Sequence, residues 1–142
     1  TQPQTAQTPQ QQAKLEALLT RGSEELKAGK SIYVLATAQE ATATAPDDPR
    51  AWVLLGVAEQ LRSRYDEAIE ANRHALRLDP QNGEALYNLG CAFAQTKRFD
   101  DAFLYLQKSA LGHPERRAQF LEDADLDVLH ADPRWENLIS AP

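Results

Sequence analysis

The sequence has no methionine, a single cysteine and no long hydrophobic run. Because a disulfide within the chain needs two cysteines, Cys91 cannot form one, and the cysteine content leaves the redox compartment open. Apolar stretches such as residues 52–57 are far shorter than the roughly 18 residues that a transmembrane helix requires. The sequence therefore predicts no direct insertion into a membrane.

Basic residues are also in deficit. The 15 Lys and Arg residues are outnumbered by 21 Asp and Glu residues, which gives a formal net charge of -6 and a pI near 5.0. Such a surface repels nucleic acid and anionic membranes. We therefore expect a basic or neutral protein partner and no nucleic acid.

The first twelve residues are rich in Gln, Thr and Pro and contain no large apolar side chain. This composition is typical of a flexible linker, which we expect over residues 1–12. Because the chain begins with Thr1, we expect a processed product or a fragment. The linker suits a spacer left after removal of a signal peptide or lipid anchor, and equally an interdomain linker of a cytoplasmic protein. Localisation, cytoplasmic or exported, stays open.

The rest of the chain repeats itself with a period of 34 residues. The positions that share this period are Gly22, Gly56 and Gly90, then Pro46, Pro80 and Pro114, and then Leu18, Trp52 and Leu86. Because independent residue types follow one period, the chain contains internal repeats.

Each repeat is predicted to form two helices. In the second unit Asp48 is a typical N-cap and Pro49 suits the first helical position. The residue before a proline is disfavoured in a helix, so the second helix should end at Asp79. Asn82 takes the place of Asp48 one repeat later. The predicted helices are 9–28, 30–44, 49–62, 65–78, 83–96 and 99–111.

The second unit follows the pattern W-x2-L-G-x2-Y, then A-x3-F, then P. Its matching residues are Trp52, Leu55, Gly56, Ala68, Ala75 and Pro80, while Glu59 and Asn72 replace the two aromatics. With its 34-residue period, this pattern resembles the tetratricopeptide repeat family. The resemblance implies an all-α fold, a right-handed α-solenoid of three stacked repeats over residues 13–116, with units near 15–48, 49–82 and 83–116.

The repeat pattern stops before residues 117–142. Asp132 and Pro133 are typical of a helix start, and Trp135, Leu138 and Ile139 then share one helix face. A solenoid needs a terminal element to cover its last hydrophobic face, so we expect a C-terminal capping helix here. The segment is similar to the closing segment of bacterial repeat proteins, which suggests a bacterial source.

Gly56 lies in an otherwise apolar helix, where glycine costs about 1 kcal/mol relative to alanine. Because Gly22 and Gly90 recur at the same place, we expect the second helix of each unit to approach closely there. Packing within the stacked array would then offset the local cost.

No constellation of catalytic or metal-ligating residues is found. The run DADLD has the spacing of a calcium loop, but Val128 and Arg134 replace the required Gly and Glu. The three histidines do not pair at zinc spacing, and no base accompanies Cys91. The sequence predicts no enzyme, no cofactor and no metal site.

The resemblance implies a concave groove lined by the first helix of each repeat, where the family usually takes a peptide. The residues predicted to bind a partner are Leu19, Ser23, Arg50, Val53, Val57, Glu84, Tyr87, Asn88 and Cys91. A carboxylate clamp known in part of the family is missing, because the matching positions carry Leu19, Ser23, Leu54, Glu84 and Asn88. Val53 and Tyr87 are the predicted anchors.

These observations favour a non-catalytic protein-protein interaction module, an adaptor or assembly subunit. The alternative is a secretion or assembly chaperone that shields a hydrophobic client. An apolar groove has to be covered. Three occupants compete for it: a segment of another protein, a second copy in a homo-oligomer, or the chain's own C-terminal helix.

Overall fold

The computed structural model describes residues 6–140. Within this range eight α-helices and one 3-10 helix follow one another without a strand. The helices are α1 Pro9–Lys27, α2 Ser31–Thr44, α3 Pro49–Leu61, α4 Tyr65–Leu78, α5 Gly83–Gln95, α6 Phe99–Gly112, α7 Arg116–Glu122 and α8 Arg134–Ser140, with the 3-10 helix Ala124–Leu129 before α8. Residues 1–5 of the predicted linker and 141–142 of the predicted capping segment lie outside the described residues.

The first six helices form three consecutive pairs. Each helix packs on the next one in the chain, and α3 also contacts both α1 and α5. The first helices of the three pairs therefore form one layer, and α2 and α4 each pack against two of them. This arrangement confirms the predicted all-α solenoid of three stacked helix pairs.

The predicted helix starts are confirmed by their caps. Asp48 Oδ1 accepts a hydrogen bond from the Arg50 amide at 3.0 Å, and Asn82 Oδ1 accepts one from the Ala85 amide at 2.9 Å. Residues 9–12 belonged to both the predicted linker and the predicted first helix, and the structure places them in α1. The linker prediction is wrong there because Thr8 forms a capping box that starts the helix inside the Gln-rich stretch.

The repeated glycines make room for side chains, as predicted for two of the three. A Cβ atom added at Gly56 would lie 2.8 Å from Asn72 Cγ on α4, and one at Gly90 would lie 2.5 Å from Leu106 Cγ on α6. Gly22 differs, because an added Cβ would instead lie 2.8 Å from Leu54 Cδ2 on α3. In the first pair the space is therefore filled by the following repeat and not by the paired helix.

The C-terminal elements share a core with the last repeat. One buried cluster joins Phe120, Leu126, Leu129, Trp135 and Leu138 to apolar residues of α5 and α6. The 3-10 helix lies against α5, while α8 lies against α6 and α7. The predicted capping helix is therefore α8, and it covers the second helix of the last pair.

Candidate partner-binding groove

The predicted binding residues come together in two adjoining clefts on the layer formed by α1, α3 and α5. The first cleft, of about 230 Å³, is lined by Leu19, Ser23, Leu26, Arg50, Val53, Leu54, Val57, Asn82 and Glu84. The second cleft, of about 330 Å³, is lined by Val57, Gln60, Leu61, Tyr65, Tyr87, Asn88, Cys91, Asp123 and Asp125. Val57 lines both clefts, which together contain all nine predicted residues and are called the groove below.

Five of the nine residues that line the first cleft are Leu or Val, and the other four are polar or charged. Leu19, Leu26 and Val57 are partly exposed there. Val53, one of the two predicted anchors, is only 5% exposed and packs against Ala75 and Ala85. Val53 therefore contributes to the floor of the cleft and does not project from it.

Among residues 6–140, Arg50 is the only cation that lines either cleft. Its Nη1 lies 2.6 Å from Glu16 Oε1, and its Nη2 lies 2.9 Å from Asp48 Oδ2. Partial burial alone would raise the pKa of Asp48, but hydrogen bonds from Arg50 and Gln7 hold that pKa below its ordinary value. The positive charge of Arg50 is thus already compensated.

Two predicted residues are covered by the chain's own C-terminal segment. The Tyr87 hydroxyl donates a hydrogen bond to Asp123 Oδ2, its ring stacks on Phe120 with centroids 5.5 Å apart, and the residue is only 6% exposed. Cys91 is buried beside it, with Sγ 3.7 Å from the same Asp123 oxygen. Burial, reinforced by Asp125, raises the pKa of the Cys91 thiol well above its ordinary range. Tyr87 and Cys91 therefore offer little surface to a partner.

Asp123 is a groove residue that sequence reasoning missed. Partial burial raises its pKa, a hydrogen bond from the Asp125 amide at 2.9 Å opposes this, and the nearby charges of Asp125 and Asp127 raise it further. Nothing in the sequence connected Asp123 to α5, because it lies beyond the last repeat, where the period gives no register. The sequence analysis considered Asp123, Asp125 and Asp127 of the DADLD run only as candidate calcium ligands.

The far wall of the second cleft comes from the α3–α4 turn. Leu61 is 54% exposed and Tyr65 is half-buried. On the opposite side, Gln95 donates from Nε2 to the Asp125 carbonyl at 2.6 Å, which fixes the C-terminal segment to the end of α5. The second cleft is thus bounded by the third repeat and the C-terminal segment together.

Other kinds of site are not found in the described range. Over residues 6–140, no three His, Cys, Asp or Glu side chains are grouped so that they could hold a metal ion. In the same range, every helix is too short or too polar to cross a membrane.

The repeat pattern is matched independently by a family model. A model described as tetratricopeptide repeat matches residues 19–83 and again residues 62–119, which together make up more than half of the chain. The chain belongs to the tetratricopeptide repeat family. It matches no curated protein sequence.

Solved structures share this fold at low sequence identity. Pseudomonas aeruginosa pilF matches with a TM-score of 0.74 and 22% identity over 91% of this chain. A mutant of the Thermobaculum terrenum O-GlcNAc transferase matches with a TM-score of 0.80 and 25% identity over 93% of this chain. MamA matches with a TM-score of 0.71 and 18% identity over 88% of this chain and 71% of its own. The tetratricopeptide repeat chain spans 58% of pilF and 26% of the transferase.

Family membership makes the chain a protein-protein interaction scaffold. Tetratricopeptide repeat proteins are in general non-catalytic. One of the similar structures is a transferase, and the match covers about a quarter of that enzyme.

Proposed function

We propose that this tetratricopeptide repeat protein is a non-catalytic adaptor or assembly subunit that holds a segment of another protein in its groove. One observation carries the proposal: six of the nine predicted residues, from three successive first helices, line the first cleft. These are Leu19, Ser23, Arg50, Val53, Val57 and Glu84. A site built by consecutive repeats suits an extended or helical segment that lies across them.

Partial exposure of apolar side chains supports the same proposal. Leu19, Leu26 and Val57 are accessible side by side in the first cleft, and Leu61 extends this surface into the second cleft. Burying such a surface against apolar side chains of a partner is favourable by about 25 cal/mol per Å², before the costs of association are subtracted. We place the bound segment over these four residues and leave Tyr87 and Cys91 outside the contact, because the C-terminal segment covers them.

Val57→Asn tests this proposal, because Val57 lines both clefts. Short random peptides displayed on phage are selected on the wild-type chain, and the enriched peptides are then synthesised. We expect these peptides to bind the variant about tenfold more weakly, since an amide replaces a contacting apolar group. Fluorescence anisotropy gives the affinities, and circular dichroism melts establish that the variant is folded.

Two further variants keep this test informative. Leu104→Asn makes the same kind of change on the exposed face of α6, away from the groove, and should leave binding unchanged. Ser23→Tyr fills the first cleft from an exposed position on α1 and should weaken binding without disturbing the core. Selection without enrichment, or equal affinity for the wild type and both groove variants, would contradict the proposed function.

A further inference from the structure

We propose that the segment bound in the groove is basic as well as apolar, with a lysine or arginine directed at a row of carboxylates along α5. This row, here called the acidic edge, consists of Glu84, Asp123 and Asp125. The inference rests on the proposed function, since it specifies the chemistry of the partner at the same groove. It goes beyond that function because the apolar part of the groove alone does not select the charge of its partner.

The charges that line the groove are unbalanced. Within the described part of the chain, the charged residues that line the two clefts are Arg50 and the three carboxylates of the acidic edge. Arg50 is already paired with Glu16 and Asp48. None of the three carboxylates forms an ion pair within residues 6–140. The groove therefore presents accessible apolar surface next to uncompensated negative charge.

The three carboxylates lie within reach of one bound segment. Glu84 is exposed in the first turn of α5, and Asn88 and Cys91 follow it on the same helix face at the second cleft. Asp123 meets α5 at Cys91, and the Asp125 main chain is bonded to Gln95 at the end of the helix. The acidic edge thus consists of Glu84 at the start of α5 and of Asp123 and Asp125 near its end.

Asp123 is the carboxylate that would gain most from a cation. Its oxygens accept hydrogen bonds from Tyr87, Cys91 and the Asp125 amide, all of which are uncharged donors. The charges that act on it are those of two further carboxylates, Asp125 and Asp127. A partly buried carboxylate among like charges is stabilised by an opposite charge within about 4–6 Å. A lysine or arginine of the partner supplies that charge.

The chain's own segments fit the groove less well. Residues 1–5, Thr-Gln-Pro-Gln-Thr, contain neither a basic nor a large apolar side chain, and α8 is packed on α6 and α7. A second copy does carry one exposed basic and apolar corner, Lys30 with Ile32 and Tyr33, the last two of which are 73% and 63% exposed. However, two copies of a chain with net charge -6 repel each other. We therefore assign the groove to another protein.

The test uses the peptides selected on the wild-type chain. The double variant Glu84→Gln with Asp125→Asn removes two charges of the acidic edge. Both side chains lie in the first turn of a helix, so circular dichroism melts establish that the variant is folded. The matched control, Glu24→Gln with Glu136→Gln, removes the same charge from exposed positions outside the groove. We expect the enriched peptides to combine Lys or Arg with apolar residues. They should bind the acidic-edge variant about three- to tenfold more weakly, with the control unchanged, and lose affinity as salt is raised.

The outcomes separate this inference from the proposed function. Enriched peptides that need Val57 but lack basic residues, or that bind the acidic-edge variant as tightly as the wild type, overturn the basic partner and leave the groove intact. If the control variant weakens peptide binding as much as the acidic-edge variant does, the effect comes from net charge alone. That outcome also overturns the basic partner. Self-association in sedimentation velocity that is abolished by both Tyr33→Ser and the acidic-edge variant would assign the groove to a second copy instead. Failure of all selection overturns the proposed function, and this inference with it.

Discussion

Asn72 and Gly56 form a pair that is unusual for the interior of a protein. Asn72 is fully buried, donates from Nδ2 to the Ala68 carbonyl at 2.9 Å and has no partner for Oδ1 among residues 6–140. In the next repeat the same position holds Leu106, which packs over Gly90. The glycine at this position therefore leaves room for either side chain of the second helix, Asn72 in one repeat and Leu106 in the next. Asn72 fits there although its Oδ1 has no partner among residues 6–140.

Gly56→Ala should destabilise the chain by about 1–3 kcal/mol, the range for overpacking a core. The reason is that the added Cβ would lie 2.8 Å from Asn72 Cγ. In a chain that also carries Asn72→Ala, the space is free and the cost of the new methyl should largely disappear. Urea unfolding followed by circular dichroism gives the four free energies of the double-mutant cycle. Additive effects of the two changes would mean that Asn72 is not the group that the glycine accommodates.

The sequence supported the role of Gly56 and Gly90 because a glycine that recurs once per repeat in an apolar helix indicates a close approach of another element. It did not reveal that Gly22 faces Leu54, since the period relates each unit to the next without saying which neighbour fills a space. Alignment to the period also predicts Tyr87 as a binding residue, and it lines the second cleft. Its burial, however, depends on Asp123 and Phe120, which the repeat pattern does not cover. The 34-residue period thus predicts where a residue lies along a helix, but it does not predict how much of its side chain is exposed.

The turns inside the helix pairs use one conformation with three different residues. Gly29, Ser63 and Lys97 are separated by 34 residues and all have left-handed backbones, with φ of 71°, 57° and 61°. In each turn the next amide bonds back to the helix; for example, Arg64 donates to the Glu59 carbonyl at 2.9 Å and Arg98 to that of Phe93 at 2.8 Å. This is the bond pattern of a Schellman motif, in which glycine is favoured at the left-handed position. Only the first of the three turns has a glycine at this position.

Ser63→Gly and Lys97→Gly should each stabilise the chain by about 0.5 kcal/mol, because removing Cβ relieves left-handed strain that outweighs the entropy that glycine adds to the unfolded state. Gly29→Ala, as the reverse change, should destabilise by about 1 kcal/mol. Thermal melts of the three variants test the comparison. A loss of stability in both serine and lysine variants would show that their side chains contribute more than the backbone conformation costs.

Helix starts were easier to predict than the interactions that they create. The tripeptide Asp-Pro-Arg occurs at residues 48–50 and 132–134, and it begins α3 and precedes α8 as its capping chemistry indicates. In both places the arginine also reaches a carboxylate 34 residues earlier, Arg50 to Glu16 at 2.6 Å and Arg134 to Asp100 at 2.7 Å. Such contacts between neighbouring helices depend on how the pairs stack, which a local motif does not specify.

The repeats were predictable as an array because each unit contacts mainly its neighbours, so that one period describes all of them. The path of residues 116–133 was not predictable from the sequence. Its buried residues Phe120, Leu126 and Leu129 are spaced with neither a helical nor a strand period. Their positions are set by the open end of the third repeat, onto which they pack. The same packing makes the C-terminal segment part of the groove wall, through Asp123 and Asp125.

Cys91 provides a test of whether this segment is a permanent wall or a movable cover. It is the only cysteine, it is buried under Asp123, and burial raises the pKa of its thiol. Because Leu126 and Leu129 are fully buried in the core of the last repeat, we expect the segment to come away only when that core unfolds. Thiol labelling of Cys91 in increasing urea should therefore follow the loss of helical circular dichroism. Leu126→Ala should lower both transitions together, by about 2–5 kcal/mol. Rapid labelling at urea concentrations where the helices persist would instead show a segment that opens on its own, and would return Tyr87 and Cys91 to the surface available to a partner.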